Sequence, residues 1–479
     1  MSNTTIAIIG GGCSGTMIAA QQMLKLIEQK TISDWASAPD HKINFRLYDK
    51  DGSIGRGEPY ALDNEGVFLL NQPAYAMSPF PEYPEHFSTW LENKQHPYNQ
   101  DDFVPRSIYG EYLQEVFQKA AQTYTKLAFG RVDVVVSNVA NICPTDNGKY
   151  IVVSDNYNAD HADMIVLASG HSRSDLLSEY SHNPHYFSAP YDKEKAKRAL
   201  QGNVDPVMIV GTSQSMLDSL ALLDHIKFPN PIYAVSRRLV KPWLFDAKAH
   251  RENKGSYQYQ FLTKQAVTQE VELCFEDLKD LFDKDLQEGQ SQGFPMGHIV
   301  SRFNPHDLLE VIENRYTRDN FSKFIGHVGA LYGNPTSPER FKLMQEYEKS
   351  GQLRFLQADM LKADIAEVTD GFVVTLQGHN PLKIAGFFNS SSYSMKAISD
   401  NNYVSSPLLR KLDERKALKR HDRDKNAFAF GEQNWNNLFL AGPSCNSQRW
   451  GVETFRDGLS HIAERSVQKI KQGMIAAPS

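Results

Sequence analysis

The chain of 479 residues is long enough for two or three domains. Hydrophobic residues make up 41% and charged residues 23%, the balance of a soluble globular protein, and the net charge of -6 argues against a nucleic-acid partner. The four cysteines form no C-x-x-C pair and no cluster with histidine, so we expect no metal site, no disulfide framework and a reducing compartment, the cytoplasm. No apolar stretch approaches the roughly 20 residues of a membrane helix, and the first residues indicate a buried strand rather than a signal peptide.

The first elements of the chain predict an α/β fold. Residues 5–9 are wholly apolar, as in a strand buried on both faces of a parallel sheet. A helix is predicted at about 14–30, and a second strand follows a polar insertion and ends at Asp49. Further strands are predicted at 131–139 and, after a hairpin, at 164–168.

A second βαβ unit is predicted further along the chain. Strands at 207–210 and 232–235 enclose a helix that begins at Met216. Residues 255–350 have a mostly helical, charged pattern. Strands return near 353–388, and a closing helix is expected at 452–473.

The turn after the first strand, Gly10-Gly11-Gly12-Cys13-Ser14-Gly15, matches the G-x-G-x-x-G pattern of dinucleotide-binding proteins. Gly10 permits the tight turn, Gly12 lets the backbone approach a pyrophosphate, and Gly15 lets the helix pack closely on the strand. The phosphates are expected at the helix N-terminus, and Asp49 can accept hydrogen bonds from a ribose. The Gly10-to-Asp49 spacing is longer than usual because of the insertion, and a glycine turn without a ligand is the alternative.

A weaker second fingerprint, Gly211-Thr212-Ser213-Gln214-Ser215, follows the strand at 207–210. The next strand ends in Ser236-Arg237-Arg238 instead of an acid. Arginines at this point suit the 2′-phosphate of NADPH, which an acid would repel. We therefore predict NADPH rather than NADH, the alternative being two solvated surface arginines.

Several blocks resemble the hallmark motifs of the bacterial FAD-NAD(P)-binding family. They are GRGEPY at 55–60, LLNQPA at 69–74, MSPFP at 77–81, VPRSIYG at 104–110, and a C-terminal block from Gly442 through Trp450, Glu453 and Arg456. The resemblance implies FAD at the first fingerprint and a fold like that of the flavin-dependent N-hydroxylases. With the fingerprint, it predicts that FAD is bound by Gly10, Gly12, Cys13, Ser14, Gly15, Asp49, Lys50, Arg56, Asn71, Gln72, Met77, Arg106, Val139, Gly170, Gly442, Trp450 and Glu453. The predicted NADPH-binding residues are Gly211, Ser213, Gln214, Ser215, Arg237 and Arg238.

The predicted architecture is thus α/β with two Rossmann-like dinucleotide-binding domains, the second inserted in the first. Residues 1–175 begin the FAD domain, 176–350 form the NADPH domain with a helical segment, and 351–479 return to the FAD domain. The sequence departs from the family at Ser213, where a glycine is usual, and at 389–392, which replace a more usual Ala/Thr-Thr-Gly. His171 follows a turn at Ser169-Gly170 and is more often structural than catalytic in such a place, so no catalytic residue is assigned.

The favoured reaction is N-hydroxylation of a small amino-acid-like amine with molecular oxygen, through a flavin hydroperoxide. The lack of a C-x-x-C pair disfavours a disulfide reductase, and relatives of the family oxidise the amino group of small amino acids, including enzymes that make nitrosuccinate from aspartate. A substrate carboxylate calls for an arginine, and the candidates are Arg56, Arg106, Arg449 and Arg456. For any single one of them, a salt bridge or a contact to a FAD phosphate is the favoured alternative. A flavin oxidoreductase without oxygen insertion and a non-enzymatic flavin-binding redox module are the alternatives. The amine and the oligomeric state, including a homo-oligomer, are left open.

Overall fold

The computed structural model divides into two compact units, residues 1–178 with 392–479, and residues 179–391. It describes residues 3–32, 41–64, 66–170, 176–252, 257–269, 273–294, 296–301, 303, 306–332, 335–391, 408, 411–412, 437–441, 460, 463–464 and 467–468. Among these residues no helix is both long enough and apolar enough to cross a membrane. Most of the predicted helix at 452–473 lies outside them.

The first unit is built on a parallel sheet. Its elements in chain order are β1 (Asn3–Ile9), α1 (Cys13–Ile32), β2 (Lys42–Asp49), α2 (His86–Asn93), α3 (Arg106–Lys126), β3 (Val132–Val136), β4 (Val139–Pro144), β5 (Tyr150–Ser154), β6 (Ala159–Ala162), β7 (Met164–Leu167) and, after the second unit, β18 (Leu438–Leu440). Five strands pair in parallel in the order β18-β7-β1-β2-β3. The antiparallel strands β4, β5 and β6 form a separate sheet.

The second half of strand β1, residues 6–9, is apolar and buried because both faces of the sheet are covered there. Ile6 and Ile8 belong to a core with the buried residues of α1 and α3. Ala7 and Ile9 point the other way, into a core with the antiparallel sheet. Successive side chains of a strand alternate between its faces, so each face of β1 supplies one core.

The second unit repeats this plan. Its elements are β8 (Tyr186–Phe187), α4 (Lys193–Leu200), β9 (Val207–Val210), α5 (Gln214–His225), β10 (Ile232–Ser236), β11 (Trp243–Leu244), α6 (Ala247–Arg251), α7 (Lys264–Gln269), α8 (Phe275–Ser291), α9 (Met296–Ser301), α10 (His306–Val311), α11 (Arg315–Tyr332), β12 (Pro335–Thr336), α12 (Pro338–Lys349), β13 (Leu353–Gln357), β14 (Asp364–Val368), β15 (Gly371–Thr375), β16 (Leu382–Ile384) and β17 (Gly386–Asn389). Five strands pair in parallel in the order β13-β10-β9-β17-β8. The predicted α/β fold class with two Rossmann-like units is confirmed.

The helical segment of the second unit has its own apolar core, which includes Leu278, Phe282 and Phe321. The buried carboxylate of Asp285 organises the chain at 257–262: it accepts the Tyr257 hydroxyl at 2.6 Å and the backbone N–H groups of residues 260, 261 and 262. A buried charge is tolerated when its acceptor sites are filled in this way.

Two boundaries differ from those predicted. The strand predicted at 131–139 is two strands, because β3 pairs with β2 in the parallel sheet whereas β4, after a bend at Ser137, pairs with β5 in the separate antiparallel sheet. The second unit continues to Ser391 rather than ending at 350, because β13 pairs with β10 and β17 pairs with β9.

Candidate functional site

The turn between β1 and α1 is held by the backbone. Gly10 has a φ of 105°, its N–H donates to the Tyr48 carbonyl oxygen at 2.8 Å, and a Cβ there would lie 2.2 Å from the Ala168 carbonyl oxygen. A Cβ on Gly15 would lie 1.9 Å from the Gly10 carbonyl oxygen. Both glycines are therefore required by the protein itself, at the tight turn and at the close approach of helix to strand.

Gly12 is different, because nothing in its protein surroundings demands a glycine. A Cβ there would meet only the Cα of Gly57, at 3.9 Å, which is an ordinary contact distance. Gly57 in turn faces Gly12, whose Cα lies 3.8 Å from the Cβ position of Gly57, and the φ of 57° at Gly57 also favours glycine. Two side chains are thus missing at one place, in front of the first turn of α1, which carries no acidic residue. This is the cradle that a pyrophosphate needs, and the residues fit such a group.

Asp49 ends β2 beside this turn and organises the loop that follows. One carboxylate oxygen accepts the Gly11 N–H at 3.2 Å, and the other accepts the N–H groups of Asp51 and Ser53, each at 3.1 Å. A carboxylate has about four acceptor positions, so these three bonds leave one for a ligand hydroxyl. Lys50 is exposed and forms a long ion pair with Asp51, at 3.7 Å.

Thr16 ties the fingerprint to the same loop, a role that the sequence did not reveal. Its hydroxyl donates to the Gly11 carbonyl oxygen at 2.6 Å and accepts the Gly55 N–H at 3.0 Å. The Gly55 N–H also lies 2.8 Å from the Gly11 carbonyl oxygen. These bonds set Gly57 opposite Gly12.

Arg56 is the buried cation of this loop, 8% exposed. Its Nη2 donates to the Gln114 side-chain oxygen at 3.0 Å, whereas its Nη1 has no hydrogen-bond acceptor in the described part of the chain. Burial lowers the pKa of the guanidinium, and the charge of Glu111 opposes that shift. A buried N–H without an acceptor costs about 1–3 kcal/mol, so this position favours an added anionic partner.

Arg106, at the start of α3, instead supports a loop of the protein. Its Nε donates to the Leu69 carbonyl oxygen at 2.8 Å and its Nη2 to the Asn71 side-chain oxygen at 2.9 Å. Asn71 is exposed, and the neighbouring Gln72 is half-buried. Arg106 therefore fixes the LLNQPA block.

Five further predicted FAD residues of the first unit are among the described residues. Cys13 begins α1, and burial raises the pKa of its thiol to about 12, so the thiol stays neutral. Ser14 is buried beside it, and Met77 is buried with its carbonyl oxygen 2.9 Å from the Tyr109 hydroxyl. Val139 is buried at the start of β4, and Gly170 follows β7 with a φ of 79°.

The second fingerprint repeats the geometry of the first. Gly211 has a φ of 115°, and a Cβ there would lie 2.3 Å from the Ser390 carbonyl oxygen. Ser213 precedes α5 with a φ of -103°, and its side chain makes no capping hydrogen bond. The Gln214 side-chain amide donates to the Pro335 carbonyl oxygen instead of being open to a ligand, and Ser215 is half-buried.

Arg237 and Arg238 are exposed at the carboxyl end of β10. Ser390 directly follows β17, and its carbonyl oxygen lies beside Gly211. The segment at 389–392, to which the sequence assigned no role, therefore borders the second fingerprint. The other proposed site residues, His171, Gly442, Arg449, Trp450, Glu453 and Arg456, lie outside the described residues.

Parallel sheets with glycine turns at their carboxyl edges are the architecture of dinucleotide-binding folds, and both units have it. Residues 7–172 match a family model described as FAD-NAD(P)-binding. The match contains the first fingerprint and the four blocks that follow it, and it confirms the resemblance over that part of the chain. A curated protein of Escherichia coli strain K12, YdhS, described as uncharacterized, is 23% identical over 227 residues, which are 45% of this chain and only 38% of YdhS.

Solved structures extend the likeness to nearly the whole chain. The L-lysine 6-monooxygenase of Pseudomonas syringae is 13% identical, with 98% of this chain and 99% of that chain covered and a TM-score of 0.55. The ornithine N-hydroxylase KtzI of Kutzneria sp. 744 is 12% identical, with 97% and 99% covered and a TM-score of 0.56. The cadaverine monooxygenase DfoA of Erwinia amylovora is 12% identical, with 97% and 94% covered and a TM-score of 0.53. At these identities the likeness establishes the fold.

Proposed function

We propose that this protein is an FAD- and NADPH-dependent monooxygenase that hydroxylates the amino group of a small amino-acid-like substrate. The observation that carries the FAD assignment is the pair of facing glycines, Gly12 and Gly57, at the start of α1. FAD, when bound, supplies electron transfer and the activation of oxygen. The protein has to bind, orient and shield the reactants.

The first unit would hold FAD through three features. Backbone N–H groups at the start of α1 face the pyrophosphate across the Gly12–Gly57 gap. The remaining acceptor position of Asp49 suits a ribose hydroxyl. Arg56 supplies a buried positive charge, and its Nη1 has no hydrogen-bond acceptor in the described part of the chain.

The second unit would bind NADPH. Its fingerprint helix α5 has no acidic residue in its first turn, and two exposed arginines end the neighbouring strand. A guanidinium grips a phosphate through two parallel hydrogen bonds, which suits the 2′-phosphate that NADH lacks.

The substrate class rests on the fold likeness to enzymes named for lysine, ornithine and cadaverine. An amine must be uncharged to attack an electrophilic oxygen, and a desolvated site lowers the pKa of an ammonium group. The three described cysteines, Cys13, Cys143 and Cys274, are in no disulfide bond, which fits the cytoplasm.

The test begins with the purified protein as isolated. We expect a yellow protein that releases FAD on denaturation and is bleached by NADPH without oxygen. Lysine, ornithine, cadaverine and aspartate are then screened for faster oxygen uptake, and the product is analysed by mass spectrometry under labelled oxygen gas. Label in a nitrogen-bound oxygen supports the proposal. An unlabelled product formed at the rate of NADPH use would assign the protein to oxidoreductases without oxygen insertion.

A further inference from the structure

The turn after β10 contains Arg237 and Arg238 and is called the basic turn here. Hydrogen bonds to its carbonyl oxygens hold it in place. The Arg237 carbonyl oxygen accepts the side-chain amide of Gln357 at 3.1 Å. The Arg238 carbonyl oxygen accepts the Val240 N–H at 2.7 Å and the Ser236 hydroxyl at 2.6 Å. Both carbonyl oxygens accept hydrogen bonds from the protein, and both arginine side chains are exposed at the edge of the sheet.

A chain of two hydroxyls joins this turn to the second fingerprint. The Thr212 and Ser236 hydroxyl oxygens are 3.0 Å apart. A hydroxyl has one hydrogen, and that of Ser236 is used on the Arg238 carbonyl oxygen, so Thr212 must be the donor to Ser236. Thr212 is buried, 4% exposed, so water does not readily replace this bond.

We propose that Thr212 is a positioning residue for nucleotide selectivity, which acts through Ser236 to hold the Arg237-Arg238 turn ready for the 2′-phosphate. This inference rests on the proposed NADPH function. A turn that is ordered before binding loses less conformational entropy when the phosphate arrives, so preorganisation appears as affinity. NADH has no 2′-phosphate and gains nothing from the ordered turn.

The ratio of the two nucleotide affinities separates this role from a general one. Thr212 lies in the fingerprint turn, and damage to pyrophosphate binding would weaken NADP+ and NAD+ equally. Loss of the hydroxyl chain alone would weaken only NADP+. The ratio is therefore a readout that a purely structural role does not move.

The experiment measures the dissociation constants of NADP+ and NAD+ by calorimetric titration of the FAD-loaded full chain. Thr212→Val removes the hydroxyl at nearly constant volume, and we expect the NADP+ preference to fall about three- to tenfold, the effect of one ordinary hydrogen bond. Thr212→Ser keeps the hydroxyl and should restore the preference. Ser236→Ala, at a half-buried position that tolerates the change, should reproduce the loss if Thr212→Val fails to fold.

The matched control is Ser219→Ala. It breaks a hydrogen bond between two buried hydroxyls, since the Ser219 and Ser390 oxygens lie 2.9 Å apart. Among the described contacts, neither hydroxyl is bonded to the basic turn. The control should lower the melting temperature and leave the nucleotide ratio unchanged. An unchanged ratio in folded Thr212→Val or Ser236→Ala, beside a wild type that prefers NADP+, overturns the positioning role alone. A wild type without that preference overturns it together with the NADPH assignment.

Discussion

Replacing Gly12 with valine should separate FAD binding from folding. The new Cβ meets only the Gly57 Cα at 3.9 Å, so the protein has room for the first atom of the side chain. The valine methyl groups would then fill the gap in which the pyrophosphate is expected. We predict a folded, colourless protein.

The size of the effect follows from the contacts that valine would exclude. Losing two charge-assisted hydrogen bonds between backbone N–H groups and the pyrophosphate costs about 3–6 kcal/mol, which raises the Kd for FAD about 10²- to 10⁴-fold. The Kd is measured by reconstituting the apoprotein with FAD and following flavin fluorescence. Circular dichroism of the apo forms checks that wild type and variant share the same melting temperature.

Two further substitutions frame this result. Gly15→Ala puts a Cβ 1.9 Å from the Gly10 carbonyl oxygen and should destabilise the apoprotein itself. Gly326→Val adds the same side chain as Gly12→Val at an exposed position of α11 with no atom within 4 Å, and FAD content should not change. Full FAD occupancy in Gly12→Val would refute the assignment of the gap to the pyrophosphate.

Other predictions follow from charges in the two units. Changing Arg237 and Arg238 together to alanine should erase most of a more than tenfold preference for NADPH over NADH, chiefly through KM, and equal use of both nucleotides by the wild type would contradict this. Burial, aided by the charge of Lys119, lowers the pKa of His86 below its ordinary 6.5. The unfolded chain then binds more protons than the folded chain below that pH, so the free energy of unfolding should fall on acidification from about pH 7 to about pH 5. The fall should be smaller in His86→Phe. An equal fall in both proteins, measured by denaturation at each pH, would exclude this contribution.

The βαβ units were predictable because their signals are local. The apolar run of β1, the glycine turn and the acid at the end of β2 each specify their own conformation, and the observed strands and α1 agree with the prediction apart from their ends. The break between β3 and β4 was not predictable. Valines precede and follow the bend at Ser137 and Asn138, and the local sequence does not show that β3 pairs with β2 whereas β4 pairs with β5 in a separate sheet.

The same limit applies to the site. The fingerprint predicts that residue 12 is a glycine. Gly57 faces it only because Thr16 and Asp49 hold the loop after β2, and these bonds are not visible in the motif. A motif search finds the glycine of GRGEPY but not the residue it faces. Likewise Arg56 and Arg106 look equivalent in sequence, and only their bonding partners distinguish them.

Ser213 occupies the place in the second fingerprint that Gly12 has in the first. Its φ of -103° is open to any residue, so the backbone does not require glycine there. Its hydroxyl makes no capping bond. We propose that this hydroxyl donates to a pyrophosphate oxygen of the nucleotide, and that this hydrogen bond replaces the close approach that glycine permits.

We therefore predict that Ser213→Ala weakens NADP+ and NAD+ to the same extent, about three- to tenfold each, because both carry the pyrophosphate. Thr212→Val, by contrast, is expected to weaken NADP+ alone. The same calorimetric titration measures both variants. Ser213→Gly, which restores the family residue, should bind both nucleotides at least as well as Ser213→Ala. If Ser213→Ala weakened NADP+ alone, Ser213 would belong with the 2′-phosphate rather than the pyrophosphate, and the correspondence between the two fingerprints would fail.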